Sequence, residues 1–549
     1  MKQIFISYTS GSTGFIYGRY GNFTVNTGAT LKVGSQLFMA SVSPTNNFAL
    51  SNGIVDINGQ ILQINSGVTG SGTFTGSSTS ALISYGAAGT LNFTQTNSST
   101  RSMGYLYMGA SGTATIGNAL DIYGNVYVAN AAANALNFNN QEITLKSNAT
   151  NTATIDELNT TGSNLTGATN VTVERWIPLR LTGGTGSGSA NNGRAYRVLT
   201  STVTSGTATI NESWQEGLKN TVIGVYNVPA SPYQNFGTHI TGAGGSANGF
   251  DITQTNESSL YTFTNGSNIN STLGYPAVTN TNILIDGQKG YFMYIRGDRN
   301  VSTQLPYQPA GGMPTSSTTL RAKGTVLKGN ITYNISATPG DFSLITNPYP
   351  APLDWDLVSA GNSNITTFYT FWNSNNGIRG GFVTVPTGSG TNRYIQPGEG
   401  FFVRKNSTGG GTVVITEDMK AVGNNDNTVF FTEHTPFESF RASLFLTEAN
   451  NVRHTADDVL VRYDNNYSAA VDYDDAEEIT NWNENIAISR GGTRLALESR
   501  PVITDKDTIQ LHIKNMRKTN YDFEFTPSLF SNTNLMAELI DTTVHPAQL

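Results

Sequence analysis

Cysteine is absent from all 549 residues. This excludes disulfides, Cys-ligated zinc and thiol catalysis. Charge is scarce as well: 13% of residues are charged and the net charge is −7. There is no basic run, so the chain has no electrostatic footprint for nucleic acid or anionic lipid. No run reaches the roughly 18 apolar residues that a membrane-spanning helix needs. The shortage of charge is uneven. Met1 to Asn170 carries about ten charged residues, where an ordinary globular stretch would carry about forty. Such a segment has few acids, bases or ion pairs for chemistry, but it can stack strands. With 24 Tyr, 26 Phe and 5 Trp, the chain is too aromatic and too weakly charged to be a solvated disordered polymer.

What the first third does have is alternation. From Gly21 to about Thr160, apolar and small polar residues alternate in short pieces broken by Gly or Asn, as in Ile54-Val55-Asp56-Ile57, Ile61-Leu62-Gln63-Ile64, Val126-Tyr127-Val128 and Ile143-Thr144-Leu145. Period two over a few residues predicts short half-buried strands. They recur too often, through links too short, for a sandwich. A solenoid like a parallel β-helix, in which each rung buries one face on the next, fits them better. Asn, Ser and Thr stacked at the corners would form side-chain ladders. Like charges stacked every ~4.8 Å would repel, which accounts for their scarcity.

The composition changes at Val171-Thr172-Val173-Glu174-Arg175-Trp176-Ile177-Pro178, where Trp, Pro and paired charges arrive together. Longer, more aromatic strands follow, with Gly/Ser-rich loops at 183–193 and 242–249. No segment has helical periodicity beyond two turns. Two stretches, Gly287 to Arg296 and Pro397 to Arg404, share a Gly turn, paired aromatics, a β run and an Arg. A polar linker near 421–427 precedes amphipathic strands such as Arg441 to Leu446 and Asp458 to Tyr463. The expected fold is mainly β: a parallel β-helix-like solenoid over 1–172, a β-sandwich (jelly-roll-like) region over 173–422 with a candidate division near 330, and a further sandwich over 423–549. The last is expected to be truncated, since His545 to Leu549 follows a strand with no closing element. The opening Met1 to Tyr8 turns polar too early for the roughly 7–15-residue apolar core of a signal peptide. The expectation is a chain whose signal has been removed, or a fragment.

Several stretches, taken in order, carry a resemblance. They are Val173 to Pro178, Arg194 to Leu199, Ser213 to Gly217, Gly237 to Gly242 and Gly290 to Arg299, then Asn347-Pro348-Tyr349-Pro350 with Asp354-Trp355, Ile395 to Val403, and Asp457 to Arg462 with Asn483 to Asn485. Across roughly 173–530 the chain resembles secreted, surface-associated proteins of the Bacteroidetes that are exported by the type IX secretion system. The resemblance implies export, a role at the cell surface and contact with the secretion machinery. Members end in a sorting domain, which this sequence does not show.

Candidate chemistry is thin. The five histidines, His239, His434, His454, His512 and His545, show no HxH or HExxH spacing. The densest carboxylate cluster is Asp472-Tyr473-Asp474-Asp475-Ala476-Glu477-Glu478, with Asp464 and Asp457-Asp458 before it. Hard oxygen ligands on a loop suit calcium, so Asp464, Asp472, Asp474 and Asp475 are the candidate ligands. The alternative is a solvated acidic loop. Arg296-Gly297-Asp298 spells an integrin-type tripeptide, but it reads as a strand ending in a turn. Glu216, Asp251, Asp354, Asp356 and Glu399 could supply the two facing carboxylates of a glycosidase, although nothing in the sequence pairs them. Polysaccharide lyases use β-helices with Arg or Lys bases and acidic calcium sites, and this solenoid is nearly empty of both. Trp176, Trp214, Trp355, Trp372 and Trp482 could stack on sugars, yet large aromatics are mostly core residues.

The sequence therefore leads to a non-enzymatic extracellular structural or adhesive protein of a bacterial cell surface. Its solenoid stalk would present β-sandwich modules to surface glycans or other surface proteins. The rival is a secreted carbohydrate-binding protein or carbohydrate-active enzyme.

Overall fold

The computed structural model describes residues 13–20, 23–26, 28–39, 48–178, 194–219, 221, 237–253, 255–299, 317–376, 380–423, 437–447, 453–481, 483–504, 506–517, 520–532 and 534–540. The chain is mainly β, with 43% strand and 6% helix, and its N-terminal part winds a solenoid of about six turns. The short apolar pieces become strands that stack in parallel into long faces. One face runs from Thr30–Met39 through Ile61–Ile64, Ala81–Ser84, Tyr105–Met108 and Asn125–Val128 to Thr154–Ile155. A second stacks Ala87–Leu91, Thr113–Ile116, Leu136–Asn137 and Leu165–Thr166. A third stacks Ser102–Met103, Leu120–Ile122 and Ile143–Leu145 on the start of Val171–Ile177.

Alternation decides which side chains face inward. On the first face, Leu62, Leu82, Leu106, Val126 and Ile155 occupy successive rungs at one register position, and all are fully buried. Phe48, Phe74 and Phe93 stack inside the early rungs, with centroids 5.9 and 6.2 Å apart. The corners use asparagine for two reasons. Asn52, Asn58, Asn134, Asn139 and Asn140 adopt positive φ, a conformation that Asn tolerates better than most residues. Its amide also donates and accepts without charge. Asn118 both accepts from the Phe93 amide N–H and donates to the Phe93 carbonyl, at 2.8 Å each. Asn164 donates to the Val128 and Asn130 carbonyls. Some of the few charges pair with opposite sign across neighbouring rungs, as in Lys32 with Asp56 (3.6 Å) and Arg101 with Asp121 (3.4 Å).

The end of the stack is not an open edge. Val171, Thr172 and Val173 pair in parallel with the last rung, and the whole strand Val171–Ile177 pairs antiparallel with Thr318–Val326. The solenoid thus passes into the next region through a shared strand, and one hydrophobic core runs from Val25 to Val326. A second core runs from Ile331 to Met419. Its four-stranded antiparallel sheet orders Phe342–Thr346, Gly400–Lys405, Ile365–Asn373 and Gly381–Pro386. A third core, from Ala442 to Leu495, lies in a seven-stranded sheet built around the antiparallel pair Ser439–Thr447 and Arg453–Tyr463. The two Gly-turn stretches of similar sequence each become a central strand, and their Phe292 and Phe402 meet in one aromatic cluster with Trp372.

The second core docks on the solenoid through Glu417. This carboxylate accepts from the Leu158 and Gly329 amides at 2.9 and 2.6 Å. It also pairs with Lys420 at 2.6 Å, both side chains being almost fully buried. Lys420 in turn donates to the Asp156 carbonyl.

Candidate functional site

The fold brings together two residues that the sequence holds well apart. Asp251 is fully buried, and Arg299 grips its carboxylate with two hydrogen bonds of 2.6 and 2.8 Å. The Ile240 amide and Gln215 Nε2 also donate to it, at 3.1 and 3.3 Å, and His239 Nδ1 lies 3.4 Å away. Burial opposes the charged form, but Arg299 and His239 outweigh it and hold the Asp251 carboxyl well below the usual carboxylate range. Burial lowers the His239 pKa and favours neutral imidazole. The His–Asp pair looks like an acid–base dyad, but the guanidinium already neutralises the aspartate. The cluster works as a clamp across the 237–241, 251 and 296–299 loops.

Arg296-Gly297-Asp298 belongs to the same clamp. Arg296 donates to the His239 carbonyl and to Thr241 Oγ1, and Asp298 is buried. The tripeptide is packed inward and is not displayed.

The acidic loop is also committed to its own turns. Asp475 is buried and accepts from the Ser499 and Asp472 amides, both at 2.8 Å. Burial pushes its carboxyl up to about 6. Asp472 accepts from the Asp474 amide, and Asp474 accepts from the Thr367 hydroxyl. Asp464 is exposed and accepts from Asn466. Among the described residues no group of three or more His, Asp or Glu is arranged to hold a metal ion.

The five carboxylates that could serve a glycosidase are dispersed into separate tasks. Arg321 bridges Glu216 to Glu174. Asp354 caps the helix Trp355–Gly361 by accepting from the Asp356 amide, and Arg393 lies near both aspartates. Asp251 is in the clamp. Glu399 is buried beside the solenoid junction and accepts from the Gln396 amide. Burial pushes its carboxyl up to about 7, against the pull of that amide, Arg175 and Arg197.

Three of the tryptophans are turned away from solvent. Trp214, Trp355 and Trp372 are core residues, and Trp176 is half-buried. Trp482, His434, His545 and the side chain of His454 lie outside the described residues, as do the 183–193 loop and the opening Met1 to Tyr8. His512 stands on an edge strand, opposite Ala487.

Among the described residues the exposed aromatics are Tyr85, Tyr105, Tyr473 and Phe523, and the first two belong to a group of tyrosines on the first solenoid face. Register sets Tyr107 directly against Tyr127 on the next rung, and their rings stack at 4.8 Å with 20° between planes. Tyr85 stands 5.7 Å from Tyr107. Tyr85 and Tyr105 are 47% and 52% exposed. Each lies across a glycine of the following rung. A Cβ on Gly109 would come within 2.2 Å of the Tyr85 ring, and one on Gly124 within 3.1 Å of Tyr105. Of these segments the sequence reading named Val126-Tyr127-Val128 as a strand, and it missed the patch. The available signal was a Tyr recurring at outward positions of successive rungs.

No curated protein and no solved structure matches the chain significantly. Residues 231–535, more than half of the chain, match the family described as Domain of unknown function (DUF8693). That span takes in the Asp251 clamp and the second and third cores, and on this match the chain belongs to the DUF8693 family.

Proposed function

We propose that this protein is a non-enzymatic, extracellular structural or adhesive protein of a bacterial cell surface, in which a solenoid stalk presents β-rich modules to surface glycans or other surface proteins. The observation that carries this reading is the shared strand Val171–Ile177, which closes the solenoid and at the same time forms part of the next module. A joint made of continuous sheet and continuous core suits a part that bears load, because no flexible linker separates the stalk from what it carries. Neutral amide ladders suit the same role, since their strength does not depend on salt as that of exposed ion pairs does. Export by the type IX route follows from the resemblance of the 173–530 region and belongs to the same proposal.

The test is surface labelling of the source bacterium with antibody against residues 331–422. Labelling of intact cells, lost after brief external proteolysis, is the expected result. Labelling only after lysis overturns the proposal, as does turnover of any polysaccharide by the purified chain.

A further inference from the structure

We propose that the tyrosine patch on the first solenoid face, formed by Tyr85, Tyr105, Tyr107 and Tyr127, is a binding platform for an uncharged polysaccharide. The inference deepens the adhesive reading by naming a ligand class, and it rests on that reading only for where the ligand is met.

Three features of the patch point to this ligand. The first is ring presentation. Tyr85 and Tyr105 lie over Gly109 and Gly124 and stay about half exposed, the share expected when one ring face rests on backbone and the other meets water. An aromatic face carries negative charge density, and it attracts the polarised C–H bonds that line one side of a sugar ring. The second is hydrogen bonding. In the stacked pair Tyr107 and Tyr127 each ring covers one face of the other, and Tyr85 stands 5.7 Å from Tyr107. Their phenol groups can donate to and accept from sugar hydroxyls.

The third is charge. From Ile61 to Tyr127, the outward positions of the stacked strands are Ile61, Gln63, Ala81, Ile83, the tyrosines and Asn125, none of them charged, and the next rung adds a carboxylate and not a cation, Asp156, to which Asn125 donates at 3.3 Å. A single-stranded nucleic acid also stacks on aromatics, but its phosphates require a positively charged groove. An anionic polysaccharide requires cations in the same way. A neutral polyol needs neither.

The experiment is affinity electrophoresis of the full chain in gels containing β-glucan, xylan, mannan or starch, with alginate and oligo(dT) as charged probes. At least one neutral polymer should retard the chain, and retardation should persist at 1 M NaCl. The double variant Tyr85→Ala with Tyr105→Ala should weaken binding at least tenfold at unchanged melting temperature. Tyr85→Phe with Tyr105→Phe should retain it, because the faces remain. The proposal is overturned if no neutral polymer retards the chain, if only charged probes do, or if the alanine variant binds like the parent. A parent that is dimeric by light scattering and becomes monomeric in the alanine variant also overturns it, since the patch would then be a contact between copies. None of these results bears on cell-surface labelling, so the two proposals fail separately.

Discussion

At the scale of single residues, buried charge in this protein is used for tying, and the two best-defined cases respond oppositely to pH. The Asp251 carboxyl is held down by Arg299, so the clamp stabilises the fold above the ordinary carboxylate range and weakens as acid protonates it. Replacing Asp251 with Asn leaves Arg299 buried without its counter-charge. This should cost about 3–5 kcal/mol, measured by urea unfolding at neutral pH.

Glu399 behaves in the reverse way. Its carboxyl is raised from 4.5 to about 7, so the folded state binds more protons than the unfolded state across that interval. The contribution of the protonated form is fully present below 4.5 and is lost as pH rises through 7. Glu399→Gln should match the parent near pH 4.5 and be more stable by up to about 3 kcal/mol at pH 7.5. Urea midpoints at the two pH values check this, and equal midpoints at pH 7.5 would show that burial of the charge is not what raises the carboxyl.

At the scale of the element, the unit is the rung. Each rung contacts its neighbours only, so stability is close to a sum of rung and interface contributions. Phe74 sits between Phe48 and Phe93 and is fully buried. Phe74→Ala should cost about 3–5 kcal/mol through the cavity it leaves. The effect should be local: hydrogen exchange should accelerate in the strands around residues 48–93 and stay unchanged in the 331–422 core. Uniform acceleration along the chain would mean that the solenoid unfolds as a single unit with the modules.

Alternation in the sequence made these strands legible, because side-chain direction along a strand repeats every two residues whatever lies elsewhere. It did not reveal which outward residues become neighbours. Tyr107 meets Tyr127 only because the intervening turns and corners return the chain to the same register. Turn lengths vary from rung to rung, so no fixed period exposes the match.

At the scale of the molecule, a small polar junction ties the stalk to the second core. Glu417 satisfies two backbone amides from different parts of the chain and the Lys420 ammonium. Lys420→Met leaves Glu417 buried and unpaired, so the loss should fall on the junction. Calorimetry should then resolve two transitions where the parent shows closer coupling, whereas a single broadened transition would indicate that contacts other than this junction couple the parts. Membership of the DUF8693 family covers the region beyond this junction.

The sequence by itself determined that this chain is mainly β, that its first third stacks, and that stacking there relies on neutral side chains. These properties follow from local alternation and composition, which act wherever the segment finds itself. Only the tertiary structure decided what became of the individual functional candidates. It turned Trp214, Trp355 and Trp372 inward, packed Arg296-Gly297-Asp298 into a clamp, and joined Arg299 to an aspartate 48 residues away. It set Tyr85 and Tyr105 on the surface of the stalk, over glycines of the following rung. The physical reason is that burial and pairing depend on which distant segments meet, and a local pattern does not encode those meetings.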